Sequence, residues 1–520
     1  MSTTVSTDRV STDRVRAGAV APAAEPGELK AGAIGFLSNV AIGVSSTAPA
    51  YSMAATLGLL VAVAGVGTHA PAVLLVSFVP MFFISLAYRA LNRADPDCGT
   101  SFAWVTRALG PRLGWMTGFT VFAADVIVMA TLSEIAGKYL FLLLGWDSAA
   151  RSTPALVLAA VAFIGLMTWV TYRGVELSAR MQQTLIAIEL GILGLLAVVA
   201  LVKVYGGSAG PHAIHPSIGW VNPFALSFGT LADGVLLGVF VYWGWDACVT
   251  VNEESQDSRR GPGKAAVVST LILLVTFVVV ATAGQSVAGP GYLAGHSTDV
   301  LSALGSRVLG GTLDKLLILV VLTSTAACTQ TSIMPTARTM LSMARWDAAP
   351  KPFARIHPRF RTPGVATIVM GAVSTVWTVA LLVANPAQSV LGDSITALGF
   401  DIAFYYGMTG LACAVYYRRW LRRGLGQLVT LGLVPLLGAV SLAAIFVKAL
   451  GHYSQHEIDG VPVNYAAPLF GIEVPIVIGI GSLVLALALA FALRPVYRSY
   501  FSRRLEVLEP SDILDQETIA

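Results

Sequence analysis

The chain has 520 residues, 55% of them hydrophobic and 12% charged, with a formal net charge of +4. Soluble domains run near a quarter charged, so a water-soluble protein is excluded. The cations sit in short clusters between apolar stretches, not along one face, which excludes a nucleic-acid surface.

Residues 1–32 hold the near-duplicate VSTDRVSTDRV and are rich in Ala, Ser, Thr and charge, which predicts a disordered cytoplasmic tail and not a signal peptide. Beyond it, windows of roughly 20 to 30 apolar residues can each cross ~30 Å of hydrocarbon. They predict an all-α integral membrane protein of about twelve spans, starting near Ala33, Ala70, Gly114, Thr153, Ser178, Ser227, Ala265, Leu313, Pro363, Ser389, Leu428 and Gly471. All but six of the 33 Lys and Arg residues fall in the tails and in alternate loops. The exceptions are Lys138, Arg151, Lys203, Arg307, Lys315 and Lys448. Cations favour the cytoplasmic side, so both termini are expected there, in the plasma membrane, and the even span count agrees.

Two spans carry interruptions in corresponding places. The first reads GFLSNVAIGVSSTAPAYSMAATLG. Gly43 weakens a helix, Ser45, Ser46 and Thr47 offer local hydrogen bonds, and Pro49 removes a donor, so a break is expected from Gly43 to Ala48. Five spans later, GTLADGVLLGVFVYWGWDACVTVNEES is expected to break from Tyr242 to Trp245. Backbone groups freed in hydrocarbon need polar partners, and paired broken helices point to a transporter site near the midplane. Each glycine alone also suits ordinary close packing of helices.

Ionisable groups inside spans are costly and so are functional candidates. Asp125 in span three is a candidate for substrate contact, Glu189 in span five for coupling or charge sensing, and Asp246 beside the second break for capping the next half-helix or touching ligand. Asp401 in span ten reads as a hydrogen-bonding residue of the bundle interior. Glu189 stands nine residues past Arg180, ~13 Å deeper at 1.5 Å per residue. Phe240, Tyr242, Trp243 and Trp245 form an aromatic cluster that can face an ammonium, and Tyr405 and Tyr406 are gate candidates. The four cysteines lack CxxC spacing, the seven histidines lack ligand spacing, and no phosphate loop is present. No disulfide, metal, cofactor, ATP motor or enzymatic activity is expected.

The inner loop DPDCGTSFAWVTRALGPRLGWMTGF, the segment GWDACVTVNEES and the stretch TARTMLSMARWDAAPKPFARIHPRFRTPGVATIV resemble those of the amino acid–polyamine–organocation permeases. Cys98 stands where that family has the first of two glycines, and Phe102 where it has a tyrosine. The resemblance implies a ten-helix core over 33–423 in two inverted five-helix repeats, two peripheral helices over 424–497, and a cytoplasmic tail over 498–520. It also implies that a substrate carboxylate meets backbone amides of Gly43, Val44, Ser45, Ser46 and Thr47, while its ammonium meets carbonyls of Tyr242, Trp243, Gly244 and Trp245. Where the cationic-amino-acid branch has a coupling lysine, this chain has Glu189, which could carry a proton, hold sodium or meet an ammonium.

The expected function is secondary transport of an amino acid or polyamine, as proton-coupled import, with sodium coupling open. The competing readings are inorganic cation uptake and a sensor that keeps the fold without transporting.

Overall fold

The computed structural model describes residues 28–296, 300–310, 315–384, 390–454, 457–458, 461–462 and 472–505. The expected tails therefore lie largely outside the described residues, at 1–27 and 506–520. Eleven helical stretches among the described residues are long and apolar enough to cross a membrane, from Phe36–Ala62 to Val474–Ala492. The missing member is the sixth span, whose apolar helix Phe228–Val241 is short because the chain breaks after it. With it the described residues make twelve spans, and the only strands among them are the two-residue pair Glu457–Ile458 and Val461–Pro462.

Proline sets many of the starts. Pro49, Pro71, Pro111, Pro154, Pro262 and Pro475 each lie in the first two positions of a helix, where the missing N–H leaves no intrahelical bond unmade. Small residues then let backbones approach. A Cβ on Gly238 of the sixth span would lie 2.0 Å from Ser77 Oγ of the second, and one on Gly371 of the ninth 2.3 Å from Thr168 Oγ1 of the fourth.

Packing follows the two repeats. Span two (Ala70–Ala94) lies against span seven (Gly261–Ala288), and span three (Pro111–Leu143) against span eight (Lys315–Arg345), so corresponding helices of the two sets of five pair up. The first span is innermost, with 94% of its apolar stretch buried, against 22% for the twelfth. That difference places the first break at the centre and span twelve at the periphery.

At the face carrying the basic loops, the ends of these helices are tied by polar contacts. Ile34 N–H donates to Glu254 O at 3.0 Å and Gln256 N–H to Ile34 O at 2.9 Å, joining the start of the first span to the end of the sixth. Arg338 of span eight donates from Nε to Glu254 Oε2 at 2.6 Å, with both side chains almost fully buried. Removing one member of such a pair strands the other charge. Glu254→Ala is expected to destabilise by ~3–5 kcal/mol, read as a lowered melting temperature in detergent. Glu254→Gln with Arg338→Met should recover much of the loss. An unchanged melting temperature in the single variant would show that the pair does not hold these helices together.

Candidate substrate site

The first span runs as helix from Phe36 to Ser46 and restarts at Pro49, so the break is Thr47–Ala48 and not the longer Gly43–Ala48 stretch expected from sequence. Proline disfavours the helical conformation in the residue before it, and Ala48 accordingly turns to φ 48°. Gly43 stays helical because it is a packing position. A Cβ there would lie 2.6 Å from Ser269 Oγ of span seven and 3.2 Å from the Trp245 carbonyl.

The groups freed by the break find partners within the protein. Thr47 N–H and Ala48 N–H close turns onto Val44 O and Ser45 O, Ser52 N–H donates to Ala48 O, and Ser52 Oγ donates to Thr47 O. Cys328 Sγ donates to Ser46 O at 3.0 Å. The two foremost amides of the second half-helix are taken from outside it. Ala50 N–H donates to Glu189 Oε1 at 2.7 Å, and Tyr51 N–H to Ser324 Oγ at 3.3 Å. Ser324 Oγ donates in turn to the same Glu189 oxygen at 2.7 Å. A carboxylate at a helix N-terminus is favoured by both hydrogen bonding and the helix dipole. Glu189 thus joins spans one, five and eight, and its Oε2 is buried without a partner.

The sixth span breaks over Tyr242–Asp246, between Phe228–Val241 and the short helix Ala247–Thr250. Gly244 supplies the turn at φ 109°, and a Cβ on it would lie 2.6 Å from Ser46 O. The two breaks therefore touch. Asp246 occupies the cap position of the following helix but makes no side-chain cap bond, so of the two roles expected from sequence, capping or ligand contact, the first is not taken up. Two tyrosines draw its carboxylate away: Tyr406 OH donates to Oδ1 at 2.8 Å and Tyr88 OH to Oδ2 at 3.4 Å. Tyr406 also stacks on Trp245, with ring centroids 5.2 Å apart.

Where the breaks meet, a narrow cavity is lined by Ser46, Asp125, Trp243, Gly244, Asp246 and Tyr405, with Thr331, Ser332 and Pro335 of span eight completing its wall. Asp125 accepts from Thr336 Oγ1. Trp243 Nε1 donates to Tyr405 OH, which turns the indole into part of the wall. Six of the residues singled out from sequence therefore converge: Ser46, Asp125, Trp243, Gly244, Asp246 and the gate candidate Tyr405. Gly43, Val44, Ser45, Thr47, Tyr242 and Trp245 lie behind them in packing, with Tyr242 edge-on to Phe277. Glu189 lies behind the first break, and Asp401 is away from the site, accepting from Ser482 Oγ of span twelve at 2.6 Å.

Two hydroxyl residues of the cavity wall escaped the sequence reading, and so did one buried acid outside that lining. Thr331 and Ser332 carry no charge, and small hydroxyl residues are common in membrane helices. Glu134, nine residues after Asp125 on span three, is buried with Oε2 unpartnered. As an acid in an apolar run, it had the same signal as Asp125. The described acids and cysteines come closest to a metal cluster at Asp97, Cys98 and Glu253, but protein donors occupy it. Glu253 pairs with Arg345 at 2.7 Å, and Asp97 accepts from Gly99 N–H, Ser342 and Trp346. Burial pushes the Cys98 thiol well above its ordinary value, leaving a neutral S–H directed at Arg338 O.

The sequence profile of the amino acid permease family matches residues 34–496. The chain belongs to the amino acid permease family. An uncharacterized transporter of Mycobacterium tuberculosis is 27% identical over 424 residues, covering 81% of this chain and 84% of that one. The low-affinity putrescine importer PlaP of Escherichia coli is 22% identical over 385 residues, covering 73% of this chain and 81% of PlaP. The human Asc-type amino acid transporter 1 is 28% identical over 395 residues, covering 73% and 70%. These relatives are transporters and not enzymes, so the two broken spans belong to a membrane permease.

In this permease Gly43, packed against span seven, and Gly244, in the second break, should respond differently from the acid in the cavity. Gly43→Leu and Gly244→Leu are expected to lower both the melting temperature and uptake, since their added atoms meet Ser269 and the Ser46 carbonyl. Asp125→Asn should keep the melting temperature and lower substrate affinity by ~10-fold or more, the factor carried by about 1.4 kcal/mol. Normal uptake by Gly244→Leu in proteoliposomes would move the site away from the junction of the breaks.

Proposed function

We propose that this permease is a secondary active transporter of an amino acid or amine, importing it across the plasma membrane with a proton by alternating access. The observation that carries this reading is the cavity where two broken spans meet, walled by Asp125, Asp246 and the indole of Trp243. A carboxylate attracts the ammonium shared by amines and amino acids, and an aromatic face adds to that attraction. Putrescine import by PlaP and amino acid transport by the human relative fit the same substrate range. The clustering of Lys and Arg supports cytoplasmic termini.

Glu189 is the coupling group in this reading. Its Oε1 holds the start of Pro49–Ala62 and Ser324 of span eight together, while Oε2 is left free to receive a proton. Adding that proton removes the negative charge from the end of the half-helix, loosening the tie between the first span and span eight. A group that joins two moving elements and changes charge can link proton movement to the change of access.

Glu189→Gln keeps the acceptor oxygen and removes the titration. In proteoliposomes it is expected to lose accumulation driven by a proton gradient, keep substrate exchange, and show a flattened pH profile. Wild-type-like accumulation with an unchanged pH profile would refute the coupling role and redirect attention to Asp125 or to Thr323, Ser324 and Thr325. Uptake of rubidium with no response to any amine or amino acid would replace this reading with inorganic cation transport.

A further inference from the structure

The broken first span offers a substrate carboxylate no place to bind. The N-terminal end of a half-helix is the ordinary receptor for an anion, because its amides are free and its dipole is positive there. Here, every backbone N–H from Thr47 to Ser52 is already committed, Pro49 having none: Thr47, Ala48 and Ser52 to backbone carbonyls, Tyr51 to Ser324, and Ala50 to the carboxylate of Glu189. The protein's own anion occupies the position that an incoming one would take.

Charge elsewhere in the site argues the same way. The cavity wall holds Asp125 and Asp246 and no Lys, Arg or His. Asp246 already takes two tyrosine hydroxyls, and Asp125 takes Thr336, so both carboxylates are oriented by neutral donors with no positive charge paired to them. A substrate carboxylate would enter a confined space beside two acids, and a third, Glu189, stands behind the break. Like charges in a site of low polarity repel strongly, whereas a cation with one or two ammonium groups relieves the repulsion between the acids themselves.

We infer that the transported substrate is an amine without a carboxylate, a mono- or diammonium compound of the decarboxylated class and not an α-amino acid. This rests on the permease reading above and narrows it to one side of the family's range. It assigns Glu189 a second consequence besides coupling: by capping Pro49–Ala62, it excludes carboxylate-bearing competitors.

The test uses the wild-type protein and matched pairs that differ by a single carboxylate: putrescine and ornithine, cadaverine and lysine, agmatine and arginine, ethanolamine and serine. The remaining proteinogenic amino acids are run beside them. Ligand-induced thermal stabilisation in detergent and uptake into proteoliposomes are both read. At least one amine is expected to bind more tightly than its paired amino acid by about tenfold or more, and Asp125→Asn should weaken that amine by a similar factor. An amino acid that binds or is transported as well as its paired amine, or an amino acid that outdoes all the amines, overturns the inference and leaves the permease reading standing. Absence of binding and uptake for every compound of both classes overturns both.

Discussion

In hydrocarbon, every backbone N–H and C=O must find a partner inside the protein, and this permease breaks that regularity twice in its core. The structure is arranged around repairing those breaks. In the first span the repair recruits Glu189 and Ser324, Cys328, and the hydroxyl of Ser52, from three different helices. Because the break is repaired by side chains of spans five and eight, the position of the first span depends on theirs. The tie therefore runs through a single carboxylate oxygen shared by a backbone amide of the first span and a hydroxyl of span eight.

The sixth span solves the problem differently. Gly244 takes a backbone conformation that L side chains rarely adopt, and the next residues restart a helix with their own turns. Asp246 is thereby freed from capping, and Tyr88 and Tyr406 hold it toward the cavity. Aromatic hydroxyls orient a carboxylate without neutralising it. The geometry is fixed further through stacked and edge-on rings of Tyr88, Trp245 and Tyr406.

Beyond the site, the buried Arg338–Glu254 pair and the Ile34 contacts connect spans one, six and eight at the basic face. Buried ion pairs seldom add net stability over apolar packing, but they specify one register sharply, since any other arrangement strands a charge. The network beside them ties Asp97, Cys98 and Glu253 to span eight through Ser342, Trp346 and Arg345. Cys98, standing where the family has glycine, is accommodated as a buried neutral thiol.

What the sequence determined by itself was whatever depends on local composition. Length and hydropathy fixed the spans, proline fixed the helix starts, and the Gly-Ser-Thr-Pro and Tyr-Trp-Gly-Trp-Asp runs announced the two breaks. The resemblance in the inner loop and after span eight gave the family. Lone acids in apolar runs flagged Asp125, Glu189 and Asp246, although Glu134 had equal standing and was passed over. What only the tertiary structure decided was which of these groups meet. Gly43 reads like a site glycine until Ser269 and the Trp245 carbonyl are seen against it. Asp246 sits in a cap position in the chain, but its bonds go to tyrosines from spans two and ten. Glu189 announces a buried charge, but its role as the cap of a half-helix 139 residues earlier follows from how three spans pack. Hydropathy and helix breaking act between neighbours in the chain, while hydrogen bonds across helices depend on contacts that no local pattern encodes.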